Sequence, residues 1–115
     1  MEHVIRPWGS YQILYTTPGY QVKKLVIHPG QRTSLQYHHK RSEHWIVTRG
    51  APVLQLGDDQ LMLQINQSLF VPTGVKHRIS NVGTEDVEII ECQIGNYLGE
   101  DDIVRVEDDY QRDKN

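Results

Sequence analysis

Short stretches in which β-branched and aromatic residues alternate with polar ones recur along most of the chain, about every ten residues. Each stretch is closed by Gly, Pro, Asn or Asp, and none before about residue 98 sustains the period of an amphipathic helix. The pattern predicts strands at 11–16, 21–28, 34–39, 43–49, 52–56, 60–65, 68–71, 77–82 and 86–94. Many short strands in one small domain are typical of a β-sandwich or a β-barrel.

The last part of the chain has a different character. Residues 99–115 are acidic and only weakly periodic, which predicts a short C-terminal helix or turn followed by a loose tail. Because no linker or clear repeat interrupts the pattern, we interpret residues 1–115 as one domain. Residues 1–16 are predicted to hold an N-terminal strand that also serves as a dimer contact, since an unpaired strand edge invites pairing.

Composition narrows the classes of function. Lys and Arg number 12 against 15 Asp and Glu, so the net charge is −3. This balance provides no electrostatic attraction to nucleic acid or to an anionic membrane surface. No apolar run approaches the length of a membrane span, and no secretory signal follows Met1. We therefore expect a soluble, cytoplasmic protein without nucleic-acid or membrane partners.

Side chains that can bind metal cluster on three of the predicted strands. Alternate residues of a strand share a face, so Gln36 and His38 lie together, and Glu43 and His77 can face the same interior from their own strands. If these faces point inward, the four side chains converge on one divalent ion. Imidazole suits zinc, iron, cobalt or nickel, and open coordination positions would mark a catalytic site. Lys40 and Arg41, in the turn between, are expected to be solvated charges, with a role in drawing phosphate to the site as the alternative.

Each histidine taken singly fits a surface or a hydrogen-bonded core position, but their combined spacing matches a two-part pattern. The two parts are Gly30, Gln36, His38, Glu43 and Gly50, followed by Pro72, Gly74, His77 and Asn81. They resemble the two motifs of the cupin superfamily. Two positions depart from the motifs, because Gln36 stands where His is usual and Asn66 where Gly is usual. The resemblance implies an all-β, single-domain double-stranded β-helix, also called a jelly-roll barrel.

A narrower resemblance covers nearly the whole chain. Residues 6–11, 34–39, 43–45, 71–78 and 95–105 resemble the type II phosphomannose isomerase domain, usually found at the C-terminus of bifunctional mannose-1-phosphate guanylyltransferase/mannose-6-phosphate isomerases. In that family Gln commonly occupies the first ligand position. The resemblance therefore implies that the metal ligands are Gln36, His38, Glu43 and His77. Zn²⁺ is the expected ion, with Co²⁺, Mn²⁺, Ni²⁺ and Fe²⁺ as alternatives.

The resemblance implies a metal-dependent isomerase that interconverts mannose 6-phosphate and fructose 6-phosphate through a cis-enediol, within GDP-mannose and polysaccharide biosynthesis. It points to Arg105 as catalytically important, although the residues alone favour a surface salt bridge of Arg105 with Asp101 or Asp102. Lys23 is a second catalytic candidate if the face that it shares with Leu25 lines the barrel. Lys24 alternates with apolar neighbours in the same way, so the strand register stays open.

Other functions remain open at this point. A non-catalytic, metal-containing cupin could bind a sugar phosphate beside a separate guanylyltransferase. A metal-dependent cupin oxygenase is a third alternative, which Gln36 in place of the first His disfavours. No uncommitted carboxylate stands out as the general base, because Glu43 is assigned to the metal. The expected partners are a hexose 6-phosphate and a second copy of the chain.

Overall fold

The structure is a computed structural model that describes residues 3–112, and in that part of the chain it contains strands and turns but no helix. The described strands are β1 (His3–Arg6), β2 (Gly9–Thr17), β3 (Tyr20–Ile27), β4 (Leu35–Tyr37), β5 (Arg41–Arg49), β6 (Val53–Leu56), β7 (Asp59–Met62), β8 (Ser68–Val71), β9 (His77–Ser80), β10 (Val87–Gly95) and β11 (Val104–Glu107). Nothing in residues 3–112 is a helix long and apolar enough to cross a membrane.

The strands form two antiparallel sheets. One has the order β1-β2-β3-β10-β5-β8 and the other the order β11-β4-β9-β6-β7. Strands that are distant in sequence are therefore neighbours, since β10 pairs with both β3 and β5, and β9 pairs with both β4 and β6. This topology brings side chains from residues near 23, 43, 77 and 91 to one interior.

The two sheets enclose a single hydrophobic core. Its buried members are Trp8, Tyr11, Leu25, Ile27, Trp45, Val47, Leu54, Val71, Ile79, Val87 and Ile89. Burial of such side chains contributes roughly 25 cal/mol for each Å² of apolar surface removed from water. The same inward faces also carry buried charged and polar groups, among them Lys23, Glu43 and Glu91. Charged groups at core positions are costly unless paired, which makes this region the candidate functional site.

The nine predicted strands correspond to β2–β10, and the all-β fold is confirmed. β4, β7 and β9 are shorter than predicted, because the chain leaves the sheet into turns after Tyr37, Met62 and Ser80. The predicted C-terminal helix or turn is a strand, β11, followed by turn residues, so the helix alternative is wrong. Pairing with β4 stabilises β11, and this tertiary contact cannot be inferred from its local sequence. The predicted contact and tail segments include residues 1–2 and 113–115, which lie outside the described range.

One departure from the cupin motifs has a local explanation. Asn66 has a φ of 77°, in the left-handed region that favours glycine. Asn is the side chain that tolerates this conformation best after Gly, because its short polar group can hydrogen-bond locally. Asn66 therefore keeps the turn that a motif glycine would make before β8.

Candidate metal centre

Three proposed ligands converge between the sheets. His38 directly follows β4, Glu43 lies on β5 and His77 begins β9, and all three are buried. Their ligand atoms all lie within 4.8 Å of one another. The Nε2 atom of His38 is 3.2 Å from Oε2 of Glu43, and Nε2 of His77 is 3.7 Å from Oε1. Two nitrogens and a carboxylate at these separations suit a single divalent cation.

The backbone fixes which nitrogen of each imidazole carries the proton. Nδ1 of His38 lies 2.5 Å from the carbonyl oxygen of Asp102, and Nδ1 of His77 lies 2.9 Å from that of Val75. A carbonyl oxygen can only accept a hydrogen bond, so both Nδ1 atoms are protonated. Each Nε2 therefore carries the free lone pair of its ring, as in histidine ligands whose other nitrogen donates to a carbonyl oxygen.

His77 supplies the clearest sign that the site is built for a further group. Its Nε2 is buried and has no hydrogen-bond partner among residues 3–112. A buried polar atom left in this state costs on the order of 1–3 kcal/mol. A cation shared with His38 and Glu43 would satisfy that lone pair, so the residues present fit a metal ion.

Gln36 lies at the edge of this cluster. It is directly opposite His77 in the pairing of β4 with β9, and its Nε2 is 3.5 Å from Nε2 of His38. Its Oε1 accepts a hydrogen bond from the Ser34 hydroxyl at 2.6 Å. A half-turn of the side-chain amide would direct Oε1 toward the cluster. The structure thus brings all four predicted ligand residues together.

Arg41 contradicts the expectation of a solvated charge in the turn. Its side chain is buried, and Nε donates to Oε2 of Glu43 at 2.9 Å while Nη2 lies 3.1 Å from Nε2 of His38. A third contact joins Nη1 to Oε2 of Glu100 at 3.4 Å. The signal for this placement was in the sequence, because Arg41 lies two residues before Glu43 and shares its face of β5.

Burial and charge set the ionisation of the cluster. Burial lowers the pKa of His38 to about 4 and also lowers the pKa of His77, although the charge of Glu43 opposes both shifts. Burial acts to raise the pKa of Glu43, but interactions with His77, Arg41 and His38 outweigh it and lower that pKa. Because both imidazoles are neutral near pH 7, Arg41 is the permanent cation beside Glu43. The ligands therefore have the protonation states that bind metals.

Glu91 is a cavity carboxyl that sequence reasoning missed. The indole Nε1 of Trp45 donates to Oε1 of Glu43 at 3.0 Å and to Oε2 of Glu91 at 3.1 Å. Gln93 donates to Oε1 of Glu91 at 2.5 Å. Burial and the charge of Glu43 raise the pKa of Glu91 to about 8. The alternation of β10 places Glu91 on the same buried face as Ile89 and Gln93, and this was the available signal.

The structure settles the register of β3 in favour of Lys23. Lys23 is 2% exposed and faces the interior with Leu25. Its Nζ lies 2.9 Å from Oε2 of Glu100 and 4.3 Å from the centre of the Tyr11 ring. Lys23 therefore lines the same cavity as Gln36, His38 and His77.

Arg105 also lines this cavity, on β11 directly opposite Gln36. It does not pair with the acidic residues beside it. Asp101 accepts a hydrogen bond from the Tyr97 hydroxyl, and Asp102 accepts the backbone N–H groups of His39 and Lys40. The Nε of Arg105 is buried without a hydrogen-bond partner in the described part of the chain.

Comparisons with known proteins agree with this architecture. A family model described as "Mannose-6-phosphate isomerase C-terminal" matches residues 1–108. The chain is 50% identical over 109 residues to the xanthan biosynthesis protein XanB of Xanthomonas campestris. It is 49% identical to the alginate biosynthesis protein AlgA of Pseudomonas aeruginosa, and 40% identical to a mannose-1-phosphate guanylyltransferase of Escherichia coli. Each match covers 95% of this chain and 23% of the relative, so the chain spans about a quarter of their length.

Solved structures show the same fold at lower identity. KdgF from Halomonas sp. superposes with a TM-score of 0.75 at 15% identity, over 84% of this chain and 90% of that one. A double-stranded β-helix domain from Klebsiella pneumoniae superposes with a TM-score of 0.73 at 20% identity, over 83% and 81% of the two chains. These likenesses establish the cupin fold.

Proposed function

This chain belongs to the family of mannose-6-phosphate isomerase C-terminal domains, as its motifs predict, and on that premise we propose that it interconverts mannose 6-phosphate and fructose 6-phosphate. The observation that carries the proposal is the convergence of His38, Glu43 and His77 within 4.8 Å in a cavity that also holds buried cations. The names of the relatives support a place in polysaccharide and mannose metabolism. A cytoplasmic location is part of the same proposal.

We propose that Gln36, His38, Glu43 and His77 hold a divalent metal ion. Zn²⁺ is the expected ion, because neutral imidazoles and a carboxylate are donors that zinc accepts readily. When bound, the ion would polarise the carbonyl and hydroxyl oxygens of the open-chain sugar.

Lys23 and Arg105 are the proposed catalytic residues. Isomerisation transfers a proton between C1 and C2, and negative charge develops on the neighbouring oxygens as the proton leaves. The ammonium group of Lys23 is held by Glu100 and faces the cavity. There its positive charge would stabilise the negative charge on the oxygens of C1 and C2. Arg105 can contact the substrate with the N–H groups of its planar guanidinium.

Two carboxyl groups that line the cavity and are not proposed ligands remain for the proton transfer itself. Glu100 is held by Lys23 and Arg41, and Glu91 is held by Trp45 and Gln93. Trp45 packs edge-on against the His77 ring at 5.3 Å and helps to exclude water from the cluster. A dry site strengthens each of these charge interactions.

The test couples turnover to metal. The protein is stripped with chelator, Zn²⁺, Co²⁺, Mn²⁺, Ni²⁺ or Fe²⁺ is added back, and conversion of mannose 6-phosphate is followed. Turnover should return with metal, be absent in His77→Ala and be unchanged in His44→Ala, whose imidazole is exposed on the outer face of β5. Metal and sugar-phosphate binding without turnover under every ion would overturn the isomerase and favour the non-catalytic binding protein. Failure to bind any of these ions would overturn the metal centre.

A homodimer is also proposed. β1 lies at an edge of the six-stranded sheet, where its outer backbone groups are open to another strand, and Ile5 on this strand is 70% exposed. Edge strands of this kind readily pair with a second chain. Light scattering that gives the mass of a single chain at working concentration would overturn the dimer.

A further inference from the structure

Three arginines from separate segments meet at the cavity that holds the candidate metal centre. Arg6 ends β1, Arg105 lies in β11, and Arg112 lies in the turn that follows β11. All three line the cavity. The three arginines meet because the two ends of the described chain pack together, so no local sequence motif predicts the cluster.

Only part of this positive charge is balanced by the protein. Arg112 is paired with Asp108, with Nε 2.6 Å from Oδ2 and Nη2 3.2 Å from Oδ1. Arg6 contacts only neutral groups by hydrogen bonds, which are the carbonyl of Ile5 at 3.2 Å and the hydroxyl of Tyr11 at 3.4 Å. The Nε of Arg105 is buried and lacks a partner within residues 3–112.

The cationic groups also act on one another. Burial lowers the pKa of Arg105, and the charges of Arg112 and Arg6 lower it further, against the opposing effect of Asp108 and Glu100. Glu100 does not neutralise the group, because its carboxylate already bonds Lys23 and Arg41. Three guanidinium groups that share one paired carboxylate form a site in which an anion would be stabilised.

We propose that Arg6, Arg105 and Arg112 bind the phosphate group of a sugar phosphate, at a subsite beside the metal ligands. The planar fork of arginine matches the oxygens of a phosphate ester, and three forks can satisfy its charge from different sides. The identity of the attached sugar rests on the proposed function, whereas the recognition of phosphate does not.

The register of the smaller sheet places this subsite at a suitable distance from the metal ligands. Arg105 is opposite Gln36, and Gln36 is opposite His77. Neighbouring strands are about 4.8 Å apart, so the backbone of Arg105 lies roughly 10 Å from that of His77. An extended six-carbon phosphate can bridge this separation, with its reacting carbons toward His77 and its phosphate toward Arg105.

The test measures binding of inorganic phosphate, fructose 6-phosphate and fructose to the metal-loaded protein by isothermal titration. Arg6→Gln is the main variant, because Arg6 makes only weak contacts with the fold and its replacement should leave the protein folded. We expect it to weaken binding of both phosphate ligands at least about tenfold, as loss of a charge-assisted hydrogen bond does, and to leave fructose binding unchanged. Arg49→Gln is the matched control, since it removes the same charge from an exposed position at the far end of β5.

A second pair of variants tests whether the planar guanidinium group of Arg105 is needed. Arg105→Lys keeps the charge and loses the planar donors, so it should bind fructose 6-phosphate more weakly than the wild type but more tightly than Arg105→Gln. Metal affinity should stay unchanged in Arg6→Gln, which separates loss of the subsite from collapse of the cavity.

The outcomes distinguish the two proposals. Phosphate binding that depends on Arg6 in a protein without isomerase turnover would overturn the proposed function and support the subsite. The subsite alone would be overturned if the protein has isomerase turnover but neither variant changes phosphate binding. In that case the wild type, Arg6→Gln and Arg49→Gln would share one affinity for inorganic phosphate and one for fructose 6-phosphate. The subsite would also be overturned if the protein binds fructose 6-phosphate but not inorganic phosphate, and if Arg6→Gln leaves that binding unaltered.

Discussion

The Nη2 atom of Arg41 lies 3.1 Å from Nε2 of His38, which is itself 3.2 Å from Oε2 of Glu43. Because Nδ1 of His38 carries the proton, Nε2 has one lone pair and accepts this hydrogen bond. The same guanidinium donates to Glu43. A metal ion bound by His38 would need the lone pair that Arg41 uses, so the arginine and the ion compete for one atom.

We therefore predict opposite effects of Arg41→Gln on stability and on metal affinity. The metal-free variant should be less stable by on the order of 3 kcal/mol, because the buried carboxylate of Glu43 loses its cation. Its affinity for Co²⁺ should increase, because the competitor for His38 is gone. Urea unfolding and isothermal titration measure the two effects, with Arg49→Gln as the charge-matched control. Weaker Co²⁺ binding in Arg41→Gln would mean that the arginine positions the ligands and does not compete.

Strand alternation predicted a large part of the site. It placed Gln36 and His38 on one face, and it allowed Lys23 to point inward with Leu25. These inferences succeed because a strand has a strict period of two and the interior is apolar, so one apolar neighbour fixes the orientation of the others. Both faces of β3 carry apolar residues, so the sequence could not decide whether Lys23 or Lys24 points inward, and the structure was needed.

Other parts of the site depend on which strands are neighbours, and the local sequence does not contain that information. Glu91 meets Glu43 through Trp45 because β10 lies beside β5. β11 was missed because its four residues follow an acidic stretch and gain their stability from β4. Arg41 could have been placed by alternation from Glu43, but its charge and its position in a turn favoured a solvated interpretation.

The metal-free protein should lose stability as the pH falls from 6.5 toward 4. The pKa of His38 is lowered from 6.5 to about 4 in the fold, so the unfolded chain binds a proton in this interval that the folded chain does not. The stabilisation is present above pH 6.5 and is lost progressively below it, by on the order of 3 kcal/mol for this group. His77, whose pKa is also lowered, adds a loss of the same sign.

Urea unfolding at pH 7, 5.5 and 4.5 measures this dependence. The double variant His38→Gln, His77→Gln should show a much shallower decline, whereas His44→Gln should retain the decline of the wild type. An equally steep decline in the double variant would assign the effect to other groups.

Glu91 should limit stability on the alkaline side. Its pKa is raised from 4.5 to about 8 in the fold, so the folded chain keeps a proton that the unfolded chain releases. This contribution is fully present below pH 4.5 and is lost as the pH rises through 8. Glu91→Gln keeps the shape of the side chain without a titrating proton. Unfolding of the metal-free variant should therefore depend little on pH between 7 and 8.5, above the interval in which His38 and His77 act, while the wild type loses stability there. Parallel curves for the two proteins would contradict the assignment.

Asp102 should control the metal site through the turn that carries His38. Its carboxylate accepts the backbone N–H groups of His39 at 3.1 Å and Lys40 at 3.0 Å, and its carbonyl oxygen accepts the Nδ1 proton of His38. Asp102→Ala removes the two carboxylate bonds and keeps the carbonyl. We expect a loss of stability on the order of 2 kcal/mol and a fall in metal affinity of about tenfold, because the turn no longer holds the imidazole in place.

The adjacent acidic residue provides the control for this prediction. The substitution Asp101→Ala removes the same charge. However, the Asp101 carboxylate bonds the exposed hydroxyl of Tyr97 and not the turn that carries His38. Asp101→Ala should therefore bind Co²⁺ as the wild type does, and Asp102→Asn, which retains one acceptor oxygen, should lie between the wild type and Asp102→Ala. An equal loss of Co²⁺ affinity in Asp101→Ala and Asp102→Ala would mean that the local charge acts on the ion. Wild-type affinity in both would mean that the carbonyl of residue 102 alone is enough to orient His38.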